Sequence, residues 1–125
     1  MRKLELQKIA DAWIKLYYIP DSSDERKQYF WAYNKLSELC DDEPEACWEV
    51  IQLIRSLDSS DVVHANLASG PLESLLATHG NDFIDRFELL AKTDQEFKKL
   101  LGAVWKNNIN DSTWNRIQAI AGKTW

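Results

Sequence analysis

The sequence predicts an all-α fold of seven or eight short helices. Apolar residues recur at three- and four-residue steps through almost the whole chain, the spacing of a helix face. No stretch shows the sustained alternation of a half-buried strand, so no sheet is expected. Only four Gly and three Pro are present, without Ser/Gly-rich or Pro-rich tracts, which argues against linkers and disorder.

Leu6, Ile9, Trp13, Leu16 and Tyr17 share one face of a first helix from about Leu4 to Tyr18, which Pro20 stops. Ser22 and Glu25 offer a capping box for a second helix, with Tyr29, Tyr33, Leu36 and Cys40 along its stripe and Ala32 and Leu39 beside them. Glu43-Pro44 restarts the chain, because proline suits the first helical position and acids suit the positive end of the dipole. Cys47, Trp48, Ile51, Ile54 and Leu57 then form the third buried face.

Shorter helices follow. Asp58-Ser59-Ser60-Asp61 reads as a loop and cap before 62–68, and Gly70-Pro71 as the end of one helix and the start of the next. Leu72, Leu75 and Leu76 give that next helix its apolar side, and His79-Gly80 ends it. Asn81 or Asp82 caps a helix with Phe83, Ile84, Phe87 and Leu90 inward. Thr93-Asp94 caps another carrying Phe97, Leu100, Leu101, Val104 and Trp105. Asn110-Asp111 caps the last, with Trp114, Ile117 and Ile120 inward and Gly122 at its end. Short loops leave two arrangements, a stack of helix pairs or a compact orthogonal bundle, with the stack slightly preferred.

At 125 residues a single domain, 1–125, is the default, and the chain is long enough to bury a core without staples. No apolar run approaches the roughly 18–20 residues of a membrane span. The amino terminus Met1-Arg2-Lys3-Leu4-Glu5-Leu6 lacks the apolar stretch and cleavage site of a signal peptide. The expectation is a soluble cytoplasmic protein with Cys40 and Cys47 as reduced, buried thiols. A disulfide between them would need an oxidising compartment.

Charge is distributed unevenly. Residues 38–96 hold fourteen acids and three bases, a net of −11, whereas the segments before and after are net positive. Concentrated negative potential attracts basic surfaces and repels nucleic acid and anionic lipid. Acids that merely solvate helix faces are the plainer alternative. Lys98, Lys99, Lys106, Arg116 and Lys123 near the end are too few, beside those acids and at a pI of about 5.0, to suggest nucleic-acid binding.

Three constellations bear on chemistry. Cys40, Cys47, His64 and His79 match no zinc-finger, ribbon or knuckle spacing, so no metal is expected. Tyr29, Phe30, Trp31 and Tyr33 cover most of a helix circumference. Either neighbours sandwich that helix, or an aromatic is left at a surface that something else covers. Tyr17, Tyr18 and Trp125 raise the same question more weakly. Glu73, His79, Asp85, Arg86 and Glu88 permit an Asp-oriented His79 as general base, but no nucleophile elbow or phosphate loop accompanies them. Dipole and cap roles explain Glu73 and His79 better.

The run Gly70-Pro71-Leu72-Glu73, His79-Gly80 and Phe83-Ile84-Asp85-Arg86, followed by Ala91, Phe97, Leu101-Gly102 and Val104-Trp105, resembles an uncharacterised family of small bacterial helical domains. Small acidic helical proteins of this kind are similar to the immunity proteins of bacterial toxin–immunity pairs, including those of contact-dependent growth inhibition. That likeness, with the charge, implies an inhibitor rather than an enzyme, monomeric on its own and without a cofactor. Its partner would be a basic toxin domain, a nuclease, met by Asp41, Asp42, Glu45, Glu49, Asp58 and Asp61, joined by Asp82 and Asp85. A non-catalytic helical adaptor is the alternative, and a small enzyme using His79 the third.

Overall fold

A computed structural model describes residues 3–122, and these are all-α, without a strand. Lys123 and Trp125, named above, lie outside the described residues, as do Met1 and Arg2. Contacts divide the chain into two units, Met1–His64 and Ala65–Trp125.

In the first unit, α1 (Lys3–Lys15) packs on both α2 (Phe30–Asp42) and α3 (Pro44–Leu57), which also pack on each other. Leu6, Ile9, Ala10 and Trp13 of α1, Leu36, Leu39 and Cys40 of α2, and Cys47, Val50, Ile51 and Ile54 of α3 are buried, as periodicity requires. The first helix is shorter than its pattern. Leu16, Tyr17 and Tyr18 each donate their N–H to a carbonyl only three residues back, tightening the last turn ahead of Pro20. Ser23, not Ser22, is the cap: its Oγ accepts from Glu25 N at 3.2 Å and opens a short 3₁₀ helix, Asp24–Gln28. That segment sets the register of α2, which buries Ala32 and leaves Tyr33 exposed. Leu57, expected inside, is also exposed at the end of α3.

The run from Asp61 to Thr93 departs most from the sequence reading, which broke it twice. Helix α4 (Asp61–Leu67), a π-helical turn (Ala68–Leu72) and α5 (Glu73–Thr93) are continuous, so the described residues have six α-helical runs, beside the short 3₁₀ helix, instead of seven or eight. Pro71 has no N–H, and its ring would strike the carbonyl four residues back in an α-helix. The wider turn absorbs it without ending the helix. The break expected at His79-Gly80 is present, as a kink between two helical segments of α5. His79 leaves helical geometry at φ −127°, ψ 28°, and the helix kinks and continues, placing Asn81 and Asp82 inside α5.

In the second unit, α5 packs on α6 (Gln95–Leu101) and α7 (Asp111–Ile120). Phe83, Ile84, Phe87, Ala91, Phe97, Leu100, Leu101 and Ile117 are buried, with Phe87 edge-on to Phe97 at 5.4 Å. The expected caps form: Asp94 accepts from Phe97 N at 3.0 Å and Asn110 from Thr113 N at 2.8 Å. Helix α6 ends at Leu101, so Trp105 falls in a loop and is exposed rather than inward.

Gly80 lets the kink approach α7. A Cβ there would lie 3.1 Å from Thr113 Oγ1 and 3.2 Å from its Cγ2. Thr113 is buried and its backbone is tied to Asn110, so it has little room to yield. Alanine gains about 1 kcal/mol in helix propensity over glycine, but overpacking costs about 1–3 kcal/mol. Gly80→Ala is therefore expected to destabilise by about 1 kcal/mol in urea unfolding. Adding Thr113→Ala should show favourable coupling in the double-mutant cycle; strict additivity would mean the contact is not the constraint.

Candidate functional site

The exposed side of α2 is the surface that packing leaves unexplained. Ala32, Leu36, Leu39 and Cys40 face inward. At about 100° per residue, Tyr33, Phe30, Asn34, Glu38 and Trp31 spread over the opposite side. Phe30, Trp31 and Tyr33 keep 41%, 48% and 46% of their surface open to solvent. The choice the sequence left open is thus decided for this helix: neighbours do not sandwich it, and three aromatics remain at the surface. Asp41 and Asp42 follow Phe30 and Trp31 by eleven residues, about three turns, and so continue their two directions toward the helix end.

The aromatic end is ordered by its neighbours. Phe30 stacks on Tyr33 with centroids 5.3 Å apart, Arg26 lies over Phe30 at 5.9 Å and Lys15 over Tyr29 at 5.0 Å. Arg26 Nε also donates to the Leu16 carbonyl at 3.2 Å. Burial, with Tyr33 beside it, pushes the Tyr17 hydroxyl up to about 12, so it stays protonated.

The acidic end crosses the α2–α3 bend. Asp41, Asp42, Glu43 and Glu45 are exposed within five positions. Glu43, Glu45 and Glu49 share a shallow groove of ≈ 280 Å³ with Leu6, Pro44 and Ala46. Glu49 also borders a second groove of ≈ 380 Å³ with Lys3, Trp48 and Leu53. Asp41 and Asp42 thus end α2, and Glu45 and Glu49 line the grooves beside the start of α3.

The remaining acids divide. Asp61 and Asp82 are exposed, the first opening α4 and the second within α5. Asp58 serves the fold: it accepts from the Tyr18 hydroxyl at 2.6 Å and from Ser60 N at 2.8 Å. Burial alone would raise its carboxyl, but the bonds from Ser60 and Tyr18, with His64 nearby, hold it below the usual carboxylate range. Asp85 is held by Arg116 Nη2 at 2.5 Å, and the same guanidinium engages Glu88, with Nε 2.9 Å from Glu88 Oε2.

The set Glu73, His79, Asp85, Arg86 and Glu88 is likewise distributed among separate partners. Asn107 Nδ2 donates to Glu73 at 2.5 Å, Arg86 covers the Phe83 ring at 4.5 Å, and Arg116 takes both remaining acids. His79 sits at the kink of α5. Among the described residues no group of three or more His, Cys, Asp or Glu could hold a metal ion. None of them forms a helix long and apolar enough to cross a membrane. Tyr18 with Asp58 and Arg116 with its two acids lie about thirty to forty residues apart in sequence, so no local pattern announces them.

Arg116 makes a pH prediction. Its hydrogen bond, the largest influence on Glu88, holds that carboxyl below its ordinary range. A depressed acid contributes stability above its unfolded pKa and loses it as pH falls through the folded one. Arg116→Gln should therefore lower Tm at about pH 7, with the difference vanishing in acid and shrinking at ~1 M salt. A difference independent of both would assign Arg116 a packing role instead.

A family profile spans residues 20–124, from Pro20 after α1 to beyond α7. The chain belongs to the family of unknown function DUF6869. The span includes the whole of α2 and the bend, so the aromatic and acidic residues are within the DUF6869 region, while α1 precedes it. No curated protein and no solved structure matches the chain.

Proposed function

We propose that this protein is a protein-binding inhibitor, an immunity protein that neutralises a basic bacterial toxin domain, a nuclease, in the cytoplasm. The observation that carries the reading is the α2 face: Phe30, Trp31 and Tyr33 exposed at one end, Asp41 and Asp42 at the other, with Glu45 and Glu49 lining the adjoining grooves. Exposed Trp and Tyr are typical interface anchors, and acids concentrated beside them select a basic partner. The likeness to immunity proteins supports the nuclease assignment.

The mechanism is steric and electrostatic. The carboxylates stand where a nucleic acid's phosphates would, against the Arg and Lys side chains of the toxin's groove. Complementary charge speeds the encounter, and buried aromatics slow dissociation. Asp61 and Asp82 are exposed, whereas Asp58 and Asp85 would first have to leave Tyr18, Ser60 and Arg116 to reach a partner.

The test is capture of partners from the native cell with tagged protein, followed by assay of the captured partner's nuclease activity. A stoichiometric basic protein, loosened by salt and inhibited in proportion to added protein, supports the reading. An acidic, salt-indifferent partner refutes it.

A helical adaptor is the second reading, favoured by Trp105. This side chain is 71% exposed on a loop tied down by the Lys106–Asp111 ion pair at 2.9 Å, the Asn107–Glu73 bond and buried Ile109. A protein with a second presented aromatic has a second place to hold a partner. His79→Ala separates both readings from an enzyme, since binding would survive it.

A further inference from the structure

We infer that Cys40 and Cys47 are a dithiol–disulfide pair, forming a reversible cross-link between α2 and α3 when a low-molecular-weight disulfide such as oxidised glutathione is present. The geometry comes from the bend. Helix α2 ends at Asp42, α3 begins at Pro44, and Glu43 alone joins them. Cys40 and Cys47 stand equally far on either side of the Glu43–Pro44 bond. In two helices packed on each other across so short a link, such positions meet when both face inward. Both do: Cys40 belongs to the buried stripe of Leu36 and Leu39, Cys47 to that of Val50, Ile51 and Ile54. The two thiols are in fact hydrogen-bonded to each other.

The same packing explains why the pair is quiet in its reduced form. The bond to Cys40, then burial, then the nearby Asp41 charge raise the Cys47 thiol, which disfavours the thiolate that exchange requires. Reaction therefore waits for local opening at the bend. One protein thiolate then attacks a glutathione disulfide sulfur, releasing one glutathione thiol and leaving a mixed disulfide. The second protein thiolate attacks the protein sulfur of that mixed disulfide and releases the second glutathione. Two protons and two electrons pass from the protein pair to two glutathione thiols, and the new S–S bond closes back into the core.

The test is an equilibrium one, so slow access does not obscure it. The full chain is brought to equilibrium in graded reduced/oxidised glutathione buffers, from both the reduced and the oxidised side, with and without urea. Free thiols are then alkylated and intact masses measured. The expected result is a species lighter by two hydrogens that takes up no alkylating reagent. Its midpoint in native buffer should be about tenfold or more toward the reducing side of the midpoint in urea, because the fold holds the sulfurs together. Cys40→Ser and Cys47→Ser should instead stop at a single-glutathione adduct. A native midpoint equal to that in urea, or on its oxidising side, would overturn the inference, as would mixed disulfides or dimers dominating the wild-type chain. The comparison between native buffer and urea needs no variant to fold.

Discussion

Trp13→Ala is expected to cost about 3–5 kcal/mol, a large part of the roughly 5–15 kcal/mol that holds a domain of this size together. Trp13 is 1% exposed, the largest of the fully buried side chains, with its ring 4.6 Å from that of Tyr17. It lies on the α1 face that meets α2 and α3, so truncation opens a cavity lined by side chains that all three helices fix. Protein interiors relax only partly around such a gap, which adds a cavity cost to the lost transfer energy. With a urea slope of about 1–3 kcal/mol per molar, the midpoint should fall by roughly 1–5 M, read by circular dichroism. Trp105→Ala is the control of the same chemistry. Its side chain is exposed, and its loss should move stability by no more than about 0.5 kcal/mol. Equal effects at the two positions would mean that burial does not rank them.

The sequence treated those two tryptophans alike, and the reason they differ shows what periodicity can read. In α1, apolar residues repeat over enough turns to fix which side faces inward, and Leu6, Ile9 and Trp13 are buried as their spacing requires. Trp105 followed Phe97, Leu100 and Leu101 on a short helix whose end the pattern could not locate, and the chain leaves the helix at Gly102. Caps with a side-chain mechanism were legible, as Asp94 and Asn110 demonstrate. Gly-Pro was misleading, because a π turn lets a helix pass residues that usually stop one, whereas His-Gly marked a real break in helical geometry at His79. Tyr33 was assigned inward by spacing alone. Its exposure follows from where α2 begins, which the short 3₁₀ segment before it controls. The acids were visible as a charge run, but which were already engaged was not. The partners of Asp58 and Asp85 come from distant parts of the chain.

Charge reversal and aromatic truncation on α2 should separate into two kinetic effects on the proposed complex. Asp41, Asp42, Glu45 and Glu49 are all exposed. Replacing all four by Lys should leave unfolding cooperative, because surface charges away from the core change stability little. Association with a basic partner should slow by about 10- to 1,000-fold at low ionic strength, and the gap should narrow as salt is added. Trp31→Ala should do the reverse, leaving association nearly unchanged while dissociation quickens by about 30-fold, the equivalent of a hot spot of roughly 2 kcal/mol. Trp31 is half-exposed at the surface, so this loss cannot be traced to a collapsed core, and the urea midpoint provides the check. Both rates unchanged would remove α2 from the interface and turn attention to the Trp105 loop. A slowed association without any effect of Trp31 would keep the acids as steering groups and place the anchoring contact elsewhere.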